Sequence, residues 1–232
     1  ADLGISTDGD ADRFGIVGGG GEFYTPNDVL AMLADYLLRI KMTEGDLAKS
    51  VATTGRLDDI AAAFGRKCHE TPVGFKYIGQ MISEDRLALG GEESAGMSIR
   101  GHVPEKDGIL ACLLVAELMA RTGKTLADIL EELQDNYGRR YSVRVNLALT
   151  AELASSLRGI VASPPLTVGR FTAAELLRVD GTKWIYEGGD WVLLRLSGTE
   201  PVARLYVETT DEKRLGELQN AFTGWITGED GT

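Results

Sequence analysis

The residues best suited to chemistry lie near the start of the chain, within residues 3–15, which read LGISTDGDADRFG. Asp8, Asp10 and Asp12 occupy every second position, a spacing that lets an extended or tightly looped backbone aim all three carboxylates to one side. Crowded carboxylates repel one another unless a cation lies between them, and hard oxygen ligands suit Mg²⁺ or Mn²⁺. Arg13 follows directly, and its guanidinium has a shape that suits phosphate. The pattern predicts a metal site beside a phosphate-binding arginine.

Three other kinds of site share parts of this pattern. A solvated acidic turn has the same composition. An EF-hand loop requires Gly at its sixth position and Glu at its twelfth, where this chain has Arg13 and Gly19, so an EF-hand is excluded. A haloacid-dehalogenase-like phosphatase would use Asp8 as its nucleophile, although that pattern usually continues with Thr or Val where this chain has Asp12. The acidic turn and the phosphatase stay open on these residues alone.

Two further loops carry groups that suit a sugar phosphate. Residues 195–201, RLSGTEP, combine two hydroxyls, a flexible glycine and a guanidinium, with Arg204 just beyond, and these groups could form a cradle for a dianion. Glu92 and Ser94 offer a carboxylate beside a hydroxyl, which can bind neighbouring sugar hydroxyls as acceptor and donor. Taken alone, each loop is also compatible with an ordinary polar turn.

The three loops together change this interpretation. Residues 8–13, 91–96 and 195–201 occur in the order and approximate spacing seen in the α-D-phosphohexomutases, and the chain resembles that family over essentially its whole length. Further matching stretches are residues 53–58 (TTGRLD), 73–76 (VGFK) and 102–108 (HVPEKDG). The Glu-Glu-Ser loop and residues 102–108 look most like the phosphoglucomutase branch. Gly96 stands where phosphomannomutase-like and phosphoglucosamine-mutase-like members tend to have His.

The resemblance implies a domain organisation. Members of the family have four domains around a deep cleft, which carry in turn a phosphorylated serine, the metal loop, the sugar-recognising loop and the phosphate-binding loop. Residues 1–40 would be the end of an incomplete metal-binding domain 2, residues 41–139 the sugar-binding domain 3, and residues 140–232 the phosphate-binding domain 4. No serine of this chain is followed by His, as in the typical Thr-Ala-Ser-His-Asn loop. We therefore expect a C-terminal fragment that lacks the N-terminal half of its own chain and is inactive by itself.

The resemblance also implies an activity and roles for residues. The complete enzyme would interconvert the 1- and 6-phosphates of glucose, or of mannose, through an enzyme phosphoserine and a glucose 1,6-bisphosphate intermediate, with Mg²⁺ as cofactor and a hexose phosphate as its partner. Asp8, Asp10 and Asp12 would hold the Mg²⁺. The catalytic residues would be Arg13, Lys76 and Lys106, and the substrate-binding residues would be Arg56, Glu92, Ser94, Arg195, Ser197, Gly198, Thr199 and Arg204. A non-catalytic sugar-phosphate-binding module and an aspartate-nucleophile phosphatase are the alternatives.

The elements that must position these residues follow from the hydrophobic pattern. In residues 41–139, strand and helix patterns alternate, which predicts a mixed or parallel sheet with helices on its faces. Ligands of such sheets bind at the carboxyl ends of the strands, which places residues 53–56, 72–76 and 92–94 on one rim. The predicted strands here are 49–53, 67–71 and 87–90, and the predicted helices are 56–64, 75–83, 108–121 and 126–137.

The two ends of the chain have different patterns. Residues 14–17 and 22–24 predict a hairpin closed by four glycines, followed by an apolar helix at 28–39. Beyond residue 140 we expect an α+β unit with strands at 141–149, 177–179, 183–186, 191–196 and 203–208 and helices at 151–161 and 212–225. The predicted fold class is thus a mixed α/β domain followed by a smaller α+β C-terminal domain, preceded by the end of a truncated α/β domain.

Composition limits the partners. The 232-residue chain has a net charge of −11, which repels polyanions, so we expect neither nucleic acid nor an anionic membrane as a partner. Cys68 and Cys112 are far apart and lack metal-ligand spacing, which predicts buried free thiols and a reducing, cytoplasmic location. No apolar run reaches the length of a membrane span.

Overall fold

A computed structural model of the chain describes residues 1–198 and 200–228, and its packing divides between Gly138 and Arg139. The two units, Ala1–Gly138 and Arg139–Thr232, each contain a hydrophobic core. Among the described residues, no helix is long and apolar enough to cross a bilayer. The predicted three-part division, with boundaries after residues 40 and 139, stays a prediction.

The first unit contains two β-sheets. Its strands are β1 (Leu3–Thr7), β2 (Phe14–Gly18), β3 (Phe23–Tyr24), β4 (Asp46–Ser50), β5 (Cys68–Thr71), β6 (Leu87–Gly91) and β7 (Met97–Ile99). The first sheet is antiparallel with the order β1-β2-β3, and Thr7 pairs with Phe14, so residues 8–13 form the loop between β1 and β2. The second sheet has the order β5-β4-β6-β7, in which β4 runs parallel to β5 and β6 and β7 runs antiparallel to β6. This is the mixed sheet that the alternating pattern predicted.

Five helices pack around these sheets. They are α1 (Pro26–Arg39), α2 (Arg56–Ala63), α3 (Phe75–Ser83), α4 (Gly108–Thr122) and α5 (Leu126–Tyr137). Helix α1 begins at a proline, and the side chain of Thr25 caps it by accepting a hydrogen bond from the Asp28 amide. Nearly all residues of α1 between Val29 and Leu38 are buried, because α1 lies against α2, α4, α5 and β6. Helix α1 therefore belongs to the main core of the unit.

Two details of the first unit differ from the sequence prediction. The strand predicted at residues 49–53 lies at Asp46–Ser50, because the chain turns after Ser50 and the Thr53 amide donates to the Ser50 carbonyl. Strand β7 was not predicted, since three residues are too few to show an alternating pattern. Cys112 is buried as expected and Cys68 is only partly buried, and both are free thiols.

The second unit has one five-stranded antiparallel sheet with the order β11-β12-β13-β14-β8 and a separate pair of short strands, β9 and β10. Its elements are β8 (Tyr141–Ala148), α6 (Ala151–Ala162), β9 (Thr167–Val168), β10 (Phe171–Thr172), β11 (Glu175–Leu177), β12 (Thr182–Ile185), β13 (Trp191–Leu196), β14 (Val202–Thr209) and α7 (Glu212–Thr227). Trp184, Phe222 and Trp225 meet edge to face and join the sheet to α7. The predicted sequence of an α/β part followed by an α+β part is confirmed.

The strand predicted at residues 177–179 lies two residues earlier. Arg178 leaves the sheet and donates from Nη2 to the carbonyls of Val161 and Ala162, at 2.5 and 2.6 Å, near the end of α6. Those carbonyls have no partner within the helix, so a basic side chain at this point satisfies them. The turn at Asp180 and Gly181 then leads into β12.

Candidate active site

The acidic loop, residues 8–13, joins β1 to β2 and is closed by its own backbone. The Asp8 amide donates to the Arg13 carbonyl at 3.3 Å, and the Ala11 amide donates to the Asp8 carbonyl at 3.1 Å. Ala11 has a φ of 60°, which is uncommon for a residue with a Cβ and indicates a tightly constrained loop. The loop is thus compact enough to crowd its side chains.

The three carboxylates of the acidic loop converge, as their spacing predicted. Asp8, Asp10 and Asp12 each offer one oxygen, and these oxygens lie within 4.8 Å of one another. Three carboxylate oxygens at such distances are a ligand set that fits Mg²⁺ or Mn²⁺, and open positions would remain for water or phosphate. The chemistry of the residues therefore fits the predicted metal.

Two cationic side chains lie against these carboxylates. Arg13 Nε is 3.8 Å from Asp8 Oδ2 and 3.7 Å from Asp12 Oδ1, and the Arg13 side chain is half exposed. Lys106 Nζ lies 2.5 Å from Asp12 Oδ2. The hydrogen bond from Lys106 holds the pKa of Asp12 below its ordinary value, against the opposing effect of burial. Arg13 and Lys106, both predicted as catalytic, are therefore brought to the predicted metal ligands.

Lys106 reaches Asp12 by crossing Gly96. A Cβ at Gly96 would lie 2.3 Å from Lys106 Cδ and 2.7 Å from its Cγ. The lysine stem therefore occupies the space that a side chain at position 96 would need. Gly96, one of the residues that carry the resemblance to the phosphoglucomutase branch, therefore leaves room for the stem of Lys106.

The start of α4 is bonded to the acidic loop and to the segment that carries Lys106. Asp107 caps the helix by accepting a hydrogen bond from the Leu110 amide at 2.8 Å, and its other carboxylate oxygen lies 2.8 Å from His102 Nε2. The Gly108 amide donates to the Ala11 carbonyl at 3.0 Å, so the first turn of α4 is bonded to the acidic loop. His102 and Asp107 thus fix the segment that carries Lys106.

The stretch predicted to bind the sugar, residues 92–96 (the sugar loop), follows β6 and is bonded to β2, the strand that leaves the acidic loop. The Phe14 amide donates to the Ala95 carbonyl at 3.2 Å. Glu92 is 4% exposed, and its Oε1 accepts a hydrogen bond from the Gly74 amide at 2.8 Å. Burial raises the pKa of Glu92, although the Gly74 amide acts in the opposite direction. Ser94 is partly buried in the same loop.

The rim predicted from the parallel strands is present. The Glu93 amide donates to Thr53 Oγ1 at 3.0 Å, and Ser50 Oγ donates to Glu93 Oε2 at 3.3 Å. With the bond between Gly74 and Glu92, these contacts join the segments that follow β4, β5 and β6 at their carboxyl ends. The topology of the sheet places the sugar loop there.

Two predicted residues of the first unit have other surroundings. Arg56 is buried at the start of α2, and its Nη1 lies 3.3 Å from Asp28 Oδ1 on α1. Lys76 is exposed on the first turn of α3 and lies over the Tyr77 ring, 4.9 Å from the centroid. Contact of either residue with substrate stays a prediction.

The stretch predicted to bind phosphate, residues 195–201 (the phosphate loop), comprises the last two residues of β13 and the residues that precede β14 in the second unit. Arg195 Nη2 lies 3.0 Å from Asp180 Oδ2, and Arg204 Nη2 lies 2.5 Å from Glu200 Oε2. Ser197 Oγ accepts a hydrogen bond from the Glu200 amide at 3.2 Å. Gly198 lies in the described part of the loop, whereas Thr199 lies outside the described residues. Arg195 and Arg204 are register partners on β13 and β14, and each has a carboxylate partner that the sequence motif does not predict.

Two models of one family match the chain. The model of the phosphoglucomutase/phosphomannomutase alpha/beta/alpha domain III matches residues 25–137, and the model of the C-terminal domain matches residues 113–224. The chain belongs to the phosphoglucomutase/phosphomannomutase family. The resemblance drawn from the three loops is confirmed at the level of the family.

Individual members of the phosphoglucomutase/phosphomannomutase family show how much of their length the chain covers. A phosphoglucomutase/phosphomannomutase of Thermococcus kodakarensis is 32% identical over 223 residues, which cover 94% of this chain and 45% of that protein. A phosphoglucomutase of Rhizobium radiobacter is also 32% identical, with 99% of this chain and 47% of that protein covered. The chain therefore spans about half the length of the curated relatives it matches.

A solved structure gives the same picture for the fold. A Thermus thermophilus protein assigned to the phosphomannomutases matches with a TM-score of 0.80 and 34% identity, over 97% of this chain and 46% of that protein. The names of the three relatives differ in the sugar, glucose in one, mannose in another and both in the third. Membership of the family is thus firm, and the sugar is a separate question.

Proposed function

We propose that this chain is the metal-, sugar- and phosphate-binding part of a phosphohexomutase that interconverts the 1- and 6-phosphates of glucose or mannose. The observation that carries the proposal is the convergence of Asp8, Asp10 and Asp12 within 4.8 Å, with Arg13 and Lys106 against them. Because the chain covers about half of its relatives, the phosphoserine would lie in a part of the enzyme outside this sequence. The chain alone is then inactive as a mutase.

The three aspartates would hold Mg²⁺, which fits their oxygen ligands. The bound ion would lower the charge barrier for transfer of a phosphoryl group to a sugar hydroxyl. Arg13 is half exposed and keeps N–H donors with which it can bind the moving phosphoryl group. Lys106 would hold Asp12 in place and assist proton transfer at the sugar hydroxyl, and Lys76 would contact the substrate from the first turn of α3.

Glu92 and Ser94 would bind the sugar hydroxyls. The hydrogen bond from the Gly74 amide fixes the Glu92 carboxylate, which gives the sugar an acceptor of defined orientation. Arg56 is a further substrate-binding candidate from the same rim. The phosphate that does not react would bind to Arg195, Ser197, Gly198, Thr199 and Arg204. A sugar site that accepts a hexose bisphosphate in both orientations would allow glucose 1,6-bisphosphate to serve as the intermediate.

The phosphatase alternative is less well supported. It would need Asp8 as a nucleophile, yet Asp8 Oδ1 accepts a hydrogen bond from the Arg13 amide at 3.1 Å, and Oδ2 lies near the Arg13 side chain. A carboxylate held in this way suits a ligand better than an attacking group, and membership of a mutase family points in the same direction. Chemical trapping of an acyl-phosphate on Asp8 would support the phosphatase instead.

The two free thiols also favour a cytoplasmic location.

Binding of Mn²⁺, followed by electron paramagnetic resonance, tests the metal assignment on the chain itself. We expect one Mn²⁺ site that Mg²⁺ displaces, and we expect Asp10→Asn to weaken Mn²⁺ binding at least tenfold. Asp2→Asn is the matched control, because it removes the same charge near the same sheet but outside the acidic loop, and it should leave binding unchanged. Equal binding by Asp10→Asn and the unaltered chain would refute the metal site.

A second measurement addresses the sugar and the activity. Isothermal titration with glucose 1-phosphate, glucose 6-phosphate and mannose 1-phosphate should show binding that Arg195→Ala weakens. A coupled assay for interconversion, primed with glucose 1,6-bisphosphate, should show no turnover by the chain alone. Turnover by this chain would show that a phosphoserine from elsewhere is not needed, and it would overturn that part of the proposal.

A further inference from the structure

Arg195 of the phosphate loop and Arg204 of β14 lie side by side on adjacent strands. Strands β13 and β14 are antiparallel, and Arg195 and Arg204 are directly paired in their register. Side chains of such a pair lie on the same face, where two like charges destabilise the sheet unless something neutralises them. The side chains of Arg195 and Arg204 are only 11% and 24% exposed, so water screens this repulsion poorly.

Asp180 supplies the first counter-charge from a turn that is packed on Arg195. The carboxylate lies 3.0 Å from Arg195 Nη2, and its side chain is 24% exposed. The next residue, Gly181, has a φ of +84°, and a Cβ there would lie 2.3 Å from the Leu194 carbonyl and 2.9 Å from Arg195 Cα. The backbone of the turn therefore touches β13, and this contact holds Asp180 beside Arg195.

Glu200 supplies the second counter-charge, and it is held differently. Its carboxylate lies 2.5 Å from Arg204 Nη2, but the side chain is 58% exposed. The loop is closed by other bonds, from the Glu200 amide to Ser197 Oγ at 3.2 Å and from the Ser197 amide to the Val202 carbonyl at 2.9 Å. The Glu200 carboxylate can therefore leave Arg204 while these bonds keep the loop in place.

Both arginines have unused donors beside these pairs. Among the described residues, the Nε atoms of Arg195 and Arg204 are buried and have no hydrogen-bond partner. A buried donor without an acceptor is costly, so a ligand with several oxygens would be favoured at this point. Asp180 and Glu200 neutralise the charges of the two guanidinium groups, but neither carboxylate accepts a hydrogen bond from an Nε–H group.

We propose that Glu200 is a built-in counterion of Arg204 that a ligand phosphate displaces, whereas Asp180 stays with Arg195 and positions it. The inference rests on the proposed function, because it takes the loop to be a phosphate site. It explains how the chain itself neutralises two closely paired guanidinium groups. It also assigns opposite effects on phosphate affinity to Asp180 and Glu200.

The test is titration of the 232-residue chain with inorganic phosphate, followed by calorimetry at fixed ionic strength. Glu200→Gln keeps the size of the side chain and removes the competing charge, so we expect phosphate to bind about two- to fivefold more tightly. Asp180→Asn should bind phosphate more weakly, because Arg195 loses its positioning partner. Glu175→Gln on β11 is the control, since it makes the same charge change away from Arg195. Glu175 pairs with Ile185, and Ile185 pairs with Trp191 at the opposite end of β13 from Arg195.

The Arg204→Ala background shows whether the effect of Glu200 passes through Arg204. In that background Glu200→Gln should no longer strengthen phosphate binding. Binding that is unchanged or weaker in Glu200→Gln, while Arg195→Ala and Arg204→Ala still weaken it, would refute the counterion role and leave the proposed function intact. Equal strengthening by Glu175→Gln would also refute it, because the effect would then be one of total charge. Failure of the unaltered chain to bind phosphate would refute the phosphate site together with this inference.

Discussion

Lys106 Nζ lies 2.5 Å from Asp12 Oδ2, so one of the three convergent carboxylates already has a cation of the chain as its partner. Arg13 Nε lies 3.7 Å from the other oxygen of Asp12. Asp12 is therefore the carboxylate of the acidic loop that is most constrained by its neighbours. Changes in Lys106 or in Gly96, which its stem crosses, should be transmitted through Asp12 to the other predicted metal ligands.

Gly96→Ala should separate Lys106 from Asp12. The added methyl group would lie 2.3 Å from Lys106 Cδ, and the flexible stem must move away. We expect the pKa of Asp12 to rise towards its ordinary value, which carboxylate NMR can follow, at a cost of about 1 kcal/mol in unfolding free energy. Gly9→Ala is the control, because a Cβ at Gly9 meets nothing within 4 Å. An unchanged Asp12 titration in Gly96→Ala would contradict this geometry.

Lys106→Met should change the acid sensitivity of the fold. The pKa of Asp12 is lowered chiefly by the hydrogen bond from Lys106, so this contribution to stability is present above the ordinary pKa of 3.8 and is lost as pH falls through the lowered value. Without Lys106 the loss should be smaller and should be complete at a higher pH, because the pKa of Asp12 in the folded chain lies closer to 3.8. Urea unfolding between about pH 2 and pH 5 measures it. Lys213→Met, at an 87% exposed side chain, should leave the profile unaltered.

Glu92→Gln should stabilise the fold at neutral pH while weakening sugar binding. Burial raises the pKa of Glu92, so its ionisation costs stability as pH rises from its ordinary pKa of 4.5 through the raised value. The neutral amide removes this cost, and the advantage of the variant should vanish below about pH 4, where the carboxyl group is protonated in both states. Urea unfolding at several pH values measures this advantage, with Glu105→Gln on the surface as control. A constant difference at all pH values would rule out ionisation as its cause.

Replacement of Lys49 by an apolar residue should destabilise the fold less than removal of the charge of its partner, Asp58. Its side chain is 2% exposed, its Nζ donates to the Thr54 carbonyl at 3.2 Å, and it pairs with Asp58 and, at 3.9 Å, with Glu70. We expect Lys49→Met to change the unfolding free energy by less than about 1 kcal/mol, because desolvation offsets most of the gain from a buried ion pair.

Asp58→Asn, in contrast, leaves the Lys49 charge buried with less compensation. We expect a loss of about 1 to 3 kcal/mol, below the value for a fully buried pair because Asp58 is half exposed. Guanidinium unfolding of both variants checks the comparison, and Asp135→Asn on the surface of α5 serves as reference. A larger loss in Lys49→Met than in Asp58→Asn would reverse this account.

Local patterns predicted much of the fold, the convergence of the three aspartates and the rim of the first unit. The convergence of Asp8, Asp10 and Asp12 depends only on their spacing in one loop, and the rim that joins Thr53, Gly74 and Glu92 follows from the direction of parallel strands. The helices were also predicted to within a few residues, because their apolar faces and caps are local features.

The remaining contacts depend on which distant residues the fold brings together. Asp180 and Arg195 are far apart in the sequence and meet only because β12 and β13 pair in one register, and Arg56 is buried only because α1 places Asp28 beside it. The stem of Lys106 over Gly96 is likewise a matter of packing, which a motif at either position does not reveal. Whether an arginine faces a ligand or an internal carboxylate therefore could not be predicted from its motif.

The main chain, more than the side chains, fixes the position of the acidic loop. Its Ala11 carbonyl accepts from the Gly108 amide, and the adjoining Phe14 amide donates to the Ala95 carbonyl of the sugar loop. Neither bond involves a side chain, so exchange of the outward-facing groups of the sugar loop would not release the aspartates. The design freedom is therefore unequal: Ser94 can be varied in libraries that seek a new ligand preference while the three aspartates keep their geometry, whereas the Glu93 carboxylate is bonded to Ser50.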